Sequence, residues 1–229
     1  LWTGLYGTVF ERICRKEVGD GEKIMLEEIL QKDIDELVKR YPALESVKQN
    51  IEEGYQMLEN CYAHGGKLLI AGNGGSAADC EHMAGELMKR FQIPRPVSRE
   101  FAEKLKSIDP VRGTGLAKNL ECSLMAIPLV AHEALTTAYM NDVDSLGVFA
   151  QQLFGYGRAG DVFLGISTSG NSQNILHAVV VAKAMGIPVI GLTGGNGGEL
   201  AKLADVAVKV PETETYRIQE YHLPIYHCW

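Results

Sequence analysis

Apolar positions in the first third of the chain recur at helical spacing. Over residues 22–41, Leu26, Leu30, Ile34 and Leu37 stand four, four and three apart, one stripe of an α-helix. Pro42 punctuates. Over residues 43–66, Val47, Ile51, Tyr55, Leu58 and Tyr62 repeat the pattern, and Gly65-Gly66 is a natural stop. Residues 1–21 are less periodic and read as an extension or a loosely docked helix.

Beyond Gly66 the pattern changes to short apolar runs without alternation. Residues 67–72, 123–130, 161–167, 188–194 and 206–210 read as strands buried on both faces. Helical stretches at 77–91, 135–139, 146–156, 171–185 and 198–203 separate them. The alternation predicts an α/β fold: a doubly wound, mostly parallel sheet flanked by helices, spanning residues 46–229 behind an N-terminal helical extension over 1–45. Ligands of such sheets lie outside the carboxyl ends of the strands. Residues 92–121 carry the breakers "IPRP" and "DPVRGTG" and read as loops around one short helix at 100–106, a long connection suited to function or subunit contact.

Composition narrows the partners. The chain has 229 residues, 46% of them hydrophobic, enough for a sizeable single core. A formal net charge of −7 with no Lys/Arg-rich run argues against nucleic acid, while a local site can still hold a small anion. The most apolar segment, 178–192, is broken by Lys183, Gly186 and Pro188, so no membrane span is expected. Five scattered cysteines with no C-x-x-C pair read as a reduced, cytoplasmic protein. No signal-peptide pattern opens the chain; its first residue is Leu1 rather than Met, as in a fragment of a longer protein.

Three strand ends carry Gly-rich turns: "AGNGGSA", "STSGNS" and "LTGGNGG". In the second, Ser167, Thr168, Ser169 and Ser172 crowd around Gly170 before a helix. Helix N-termini present unpaired N–H groups and a partial positive charge, so hydroxyls here can complete a phosphate seat. They can equally be ordinary helix caps. No Lys follows the glycines, so this is not a nucleotide-binding P-loop, and no nucleotide cofactor is expected. The first turn leads into a helix carrying His82 and Glu86, an i,i+4 pair able to bind metal, to do acid/base work, or simply to face solvent. Near the C-terminus, Gln219 and His227 lie eight apart, a little over two turns, and point roughly the same way. His227 taken alone reads as a buried, hydrogen-bonded imidazole.

Together, "GNGGSAADCEHMAGELMKRF", "AYMNDVDSLGVFAQQLFGYGRAGDVFLGISTSGNSQNILHAVVVAKAMG", "GLTGGNGGELAKLADVAVKVP" and "RIQEYHLPIYH" resemble the sugar-isomerase (SIS) domain family, in particular its phosphoheptose isomerases, over most of residues 46–227. The resemblance implies aldose–ketose isomerisation of a heptose phosphate through an enediol. It implies sugar contacts from Asn73, Gly74, Gly75, Ser76, Asn141, Asp142 and Gln219, and phosphate contacts from Ser167, Thr168, Ser169 and Ser172. It implies Glu86 and His227 as the acid/base pair, with Glu86 also touching substrate. One zinc ion per subunit is implied on His82, Glu86, Gln219 and His227, and a homo-oligomer, tetramer or dimer, with sites at subunit interfaces. Some relatives are non-catalytic regulators; the presence of Glu86 and His227 favours an enzyme. The chain departs from the family pattern at Tyr216, where an Asp is usual. It departs also at Pro224, expected to kink the helix between Gln219 and His227, in the long 92–121 connection, and in stopping at Trp229.

Overall fold

The computed structural model describes residues 20–229, with side chains from residue 30 onward. The reading of residues 1–19 lies outside the described residues. Helix α1 (Asp20–Arg40), a 3-10 turn (Pro42–Val47) and α2 (Lys48–Ala63) precede β1 (Leu68–Gly72). Then come α3 (Gly75–Met88), α4 (Arg99–Ile108), α5 (Pro110–Asn119) and β2 (Ala126–Pro128). Helices α6 (Glu133–Asp142) and α7 (Val148–Tyr156) lead to β3 (Val162–Ile166) and α8 (Gln173–Ala184). Strand β4 (Val189–Gly194), α9 (Gly198–Leu203), β5 (Val206–Val210) and α10 (Thr215–Cys228) complete the chain.

The five strands form one parallel sheet in the order β2-β1-β3-β4-β5. Chain order reverses between β1 and β3, which makes the crevice beyond their carboxyl ends the switch point of a doubly wound fold. Both sheet faces are covered, which is why the strand sequences do not alternate. Leu68, Ile70, Leu164 and Ile166 face a core built with Leu44, Ile51, Leu58, Met83 and Ile225. Leu69, Ala71 and Phe163 face the opposite core with Leu153, Ile175 and Val179. Leu37 of α1 belongs to the first core, so the last turns of α1 pack against the same sheet face. Trp229 closes the other end: its indole Nε1 donates to the Ile51 carbonyl at 2.9 Å, over Gly54, where a Cβ would come within 2.8 Å of the ring.

Two expectations are corrected, and the C-terminal helix is delimited. Residues 92–121 hold two helices. Asp109 accepts from the amides of Val111 and Arg112, and Pro110 occupies the first turn of α5, where its missing N–H costs nothing. Strand β2 shrinks to three residues because it is the sheet edge and Pro128 cannot extend a ladder. Helix α10 runs on through Pro224 to Cys228.

Candidate active site

The turn after β1 enters the crevice. Gly74 has φ +56°, a region that favours glycine, and leads directly into α3. A Cβ on Gly75 would lie 2.6 Å from Nε2 of Gln219, so the bare backbone there makes room for that amide. Ser76 is buried in the first turn of α3, and its N–H donates to the Asn73 carbonyl at 3.0 Å. Asn73 exchanges two side-chain hydrogen bonds with Asn174 of α8, at 3.0 and 2.8 Å. These bonds span the crevice and tie the two turns together.

The second turn is built from hydroxyls that the helix does not use. Ser172 stands at the N-cap of α8 without capping it through its side chain. Its Oγ lies instead 3.0 Å from Oγ of the buried Ser167. Ser169 is exposed and accepts from the Asn171 N–H at 3.2 Å. The Thr168 carbonyl accepts from the Gly194 N–H at 3.1 Å, which anchors the turn to the end of β4. Gly170, at φ +67°, closes against Gly197 of the third Gly-rich turn, where no side chain would fit. Hydroxyls gathered at a helix N-terminus and not engaged in capping suit an anionic ester.

Helix α10 lies alongside α3 in the same direction. Gln219 reaches the first turn of α3 at Gly75, and His227 reaches His82 two turns on. The Nε2 atoms of His227 and His82 are 3.4 Å apart, and His82 Nε2 is 3.6 Å from Glu86 Oε1. The ammonium of Lys89 lies 3.0 Å from Glu86 Oε2, and the Phe91 ring lies over His227 with centroids 5.4 Å apart. Burial, then the adjacent His82, holds His227 below the ordinary imidazole range, against the pull of Glu86. Two residues that sequence reasoning missed back this group. The Tyr226 hydroxyl stands 3.0 Å from His82 Nδ1 and donates to Asp79 Oδ1 at 3.2 Å. Desolvation raises the Asp79 carboxyl above its usual range. The end of α3 beyond Glu86 is held by Arg95, whose guanidinium donates to the carbonyls of Glu86, Leu87 and Lys89.

Asn141 and Asp142 are not brought to this group. They sit exposed at the end of α6, bonded to each other at 2.8 Å, and no hydrogen bond among the described residues links them to the Gly-rich turns. For a metal, donors ~2.0–2.1 Å from zinc lie ~3.3 Å apart along a tetrahedral edge. The His82–His227 and His82–Glu86 contacts are near that length, and two imidazoles with a carboxylate are zinc-type donors. Among the described residues no group of three or more His, Cys, Asp or Glu closes on one metal point. The donors thus fit zinc pairwise through His82, while Gln219 packs at Gly75.

A parallel sheet with a hydroxyl-lined turn at its switch point, and an imidazole–carboxylate cluster on the helix that leaves the neighbouring turn, is the architecture of sugar-phosphate isomerase domains. The SIS domain family matches residues 32–121 and 111–194, and the chain belongs to that family. Similar proteins include phosphoheptose isomerases of Sulfurimonas denitrificans (40% identical over 183 residues, 80% of each chain) and Aneurinibacillus thermoaerophilus (42% over 166 residues, 72% of this chain and 71% of that one). Among solved structures, the phosphoheptose isomerase of Neisseria gonorrhoeae matches with TM-score 0.65 at 33% identity, covering 89% of this chain and 96% of that one.

Proposed function

We propose that this chain is an aldose–ketose isomerase that interconverts sedoheptulose 7-phosphate and a heptose 7-phosphate. The observation that carries the reading is the meeting of His227, His82 and Glu86 at 3.4 and 3.6 Å, on the helix that leaves the crevice. The names of the similar proteins supply the sugar. Ser167, Thr168, Ser169 and Ser172 receive the phosphate at the N-terminus of α8. Asn73, Gly74, Gly75, Ser76 and Gln219 hold the sugar along the first turn. Glu86 moves the proton between C1 and C2. His227, depressed by burial and therefore neutral near pH 7, passes a proton between the two oxygens of the enediol. The zinc ion implied on His82, Glu86, Gln219 and His227, of which His227 and Glu86 each meet His82 pairwise, would when bound polarise the sugar carbonyl.

Exposed apolar side chains on α7 and α8, Phe154 (64% exposed) and Val180 (59%), support a homo-oligomer, dimer or tetramer. In it Asn141 and Asp142 serve the site of a neighbouring copy. Cysteines 61, 80, 122 and 228 are all unpaired, which supports a reduced, cytoplasmic setting. No described helix is long and apolar enough to cross a membrane.

The test is incubation with a panel of aldose and ketose phosphates, scored for interconversion. Turnover of the seven-carbon phosphates, and none of the unphosphorylated heptoses, is expected. No interconversion of any sugar phosphate would overturn the reading.

A further inference from the structure

His82 is held from behind by a chain of two contacts. Its Nδ1 lies 3.0 Å from the Tyr226 hydroxyl, and that hydroxyl lies 3.2 Å from Asp79 Oδ1. A phenol carries one proton, and a carboxylate only accepts. Tyr226 therefore gives its proton to Asp79, whose other oxygen, Oδ2, is buried with no hydrogen-bond partner among the described residues. The Tyr226 oxygen then turns a lone pair toward Nδ1, and the 3.0 Å contact is a hydrogen bond only if Nδ1 carries hydrogen. In a neutral imidazole that leaves Nε2 without a proton.

The front of the ring agrees. A protonated Nε2 facing a carboxylate would close to ordinary charge-assisted length, ~2.7–2.9 Å. Glu86 Oε1 stays 3.6 Å away. His227 Nε2, at 3.4 Å, is placed to donate to a bare Nε2. Tyr226 is only 4% exposed, with its ring edge-on to both His82 and His227, so the phenol has no freedom to turn elsewhere.

We propose that Tyr226 is a positioning residue: with Asp79 it locks His82 in the Nδ1–H tautomer and presents an unprotonated Nε2 to His227 and Glu86. A histidine so oriented is ready to ligate a metal or to accept a proton from His227, which is how an outer hydrogen-bond partner tunes a ligating imidazole. The proposal rests on reading His82 as part of the site. Its primary readout is taken on resting, metal-free protein, so its failure is distinct from failure of the isomerase reading.

The experiment is a long-range proton–nitrogen correlation spectrum of histidine-labelled, chelator-treated protein near neutral pH. His82 is assigned by the signals lost in His82→Gln. A protonated Nδ1 and a pyridine-type Nε2 are expected. In Tyr226→Phe, which keeps the ring packing and removes only the hydroxyl, the Nε2–H tautomer should come to dominate. There kcat should fall about tenfold with KM within about twofold, and zinc affinity should fall about tenfold. An Nε2–H tautomer in the unaltered protein overturns the proposal, and that spectrum decides the point even if the variant does not fold. A tautomer unchanged in Tyr226→Phe overturns it too. A switched tautomer with unchanged kcat removes the positioning role.

Discussion

His222 shows what one side chain can impose. It is fully buried on α10, its Nε2 lies 3.4 Å from the Thr193 carbonyl, and its Nδ1 is buried with no hydrogen-bond partner among the described residues. Desolvation drives its pKa down to about 4, with the Thr193 carbonyl opposing. In the unfolded chain the same imidazole titrates near its ordinary value of ~6.5. Between these values the unfolded state binds more protons, so stability rises with pH there. The contribution is fully present above about pH 6.5 and is lost as pH falls toward 4, on the order of 3 kcal/mol in all. Urea melts at pH 7 and pH 5 should show this loss, and His222→Phe should flatten it; an equal slope in both proteins would put the titration elsewhere. At this scale the sequence was legible wherever chemistry is local: the hydroxyl run 167–172 and the His82–Glu86 pair needed only their neighbours. Asp79 and Tyr226 were not, because their contact joins positions 147 residues apart. The role of Gly75 was hidden for the same reason, since it depends on Gln219.

Among elements, the turn before α8 separates capping from binding. Ser172 occupies the N-cap yet its hydroxyl lies 3.0 Å from that of Ser167 and makes no side-chain cap bond, which supports the proposed phosphate seat. Ser169 is the exposed member, free to meet solvent or an ester oxygen. Ser169→Ala should weaken binding of heptose phosphate by about 1.5–3 kcal/mol, the range for a hydrogen bond to a charged group. Calorimetric titration with the phosphorylated and unphosphorylated sugars checks this; equal losses for both would remove Ser169 from the phosphate seat. The α4–α5 pair was the least legible element. Pro110, Gly113 and Gly115 read as breakers, whereas Asp109-Pro110 is a helix start and Gly113 lets the two helices cross closely at Leu105. Pro224 interrupts the helix pattern in the sequence, and α10 continues from Thr215 to Cys228 around it.

Over the whole molecule, the sheet order was foreseeable in kind but not in detail. Apolar runs without alternation require a parallel sheet covered on both sides, and the two cores divide the odd and even residues of β1 between them. The order β2-β1-β3-β4-β5 is a tertiary fact, and it places the turns after β1 and β3 side by side. The parallel course of α3 and α10 is another, and it converts an eight-residue spacing on one helix into the meeting of His227 with His82. Asn141 and Asp142 stay outside this cluster, bonded to each other at the end of α6.

The central claim is that Glu86 moves the carbon-bound proton. Sedoheptulose 7-phosphate is incubated with the protein in deuterium oxide, and deuterium at C1 of the recovered ketose is followed by NMR. Incorporation at C1 is expected, and both incorporation and isomerisation should fall by a factor of about 10² to 10⁴ in Glu86→Gln with sugar-phosphate binding retained. Isomerisation or incorporation by Glu86→Gln at the unaltered rate would contradict the claim.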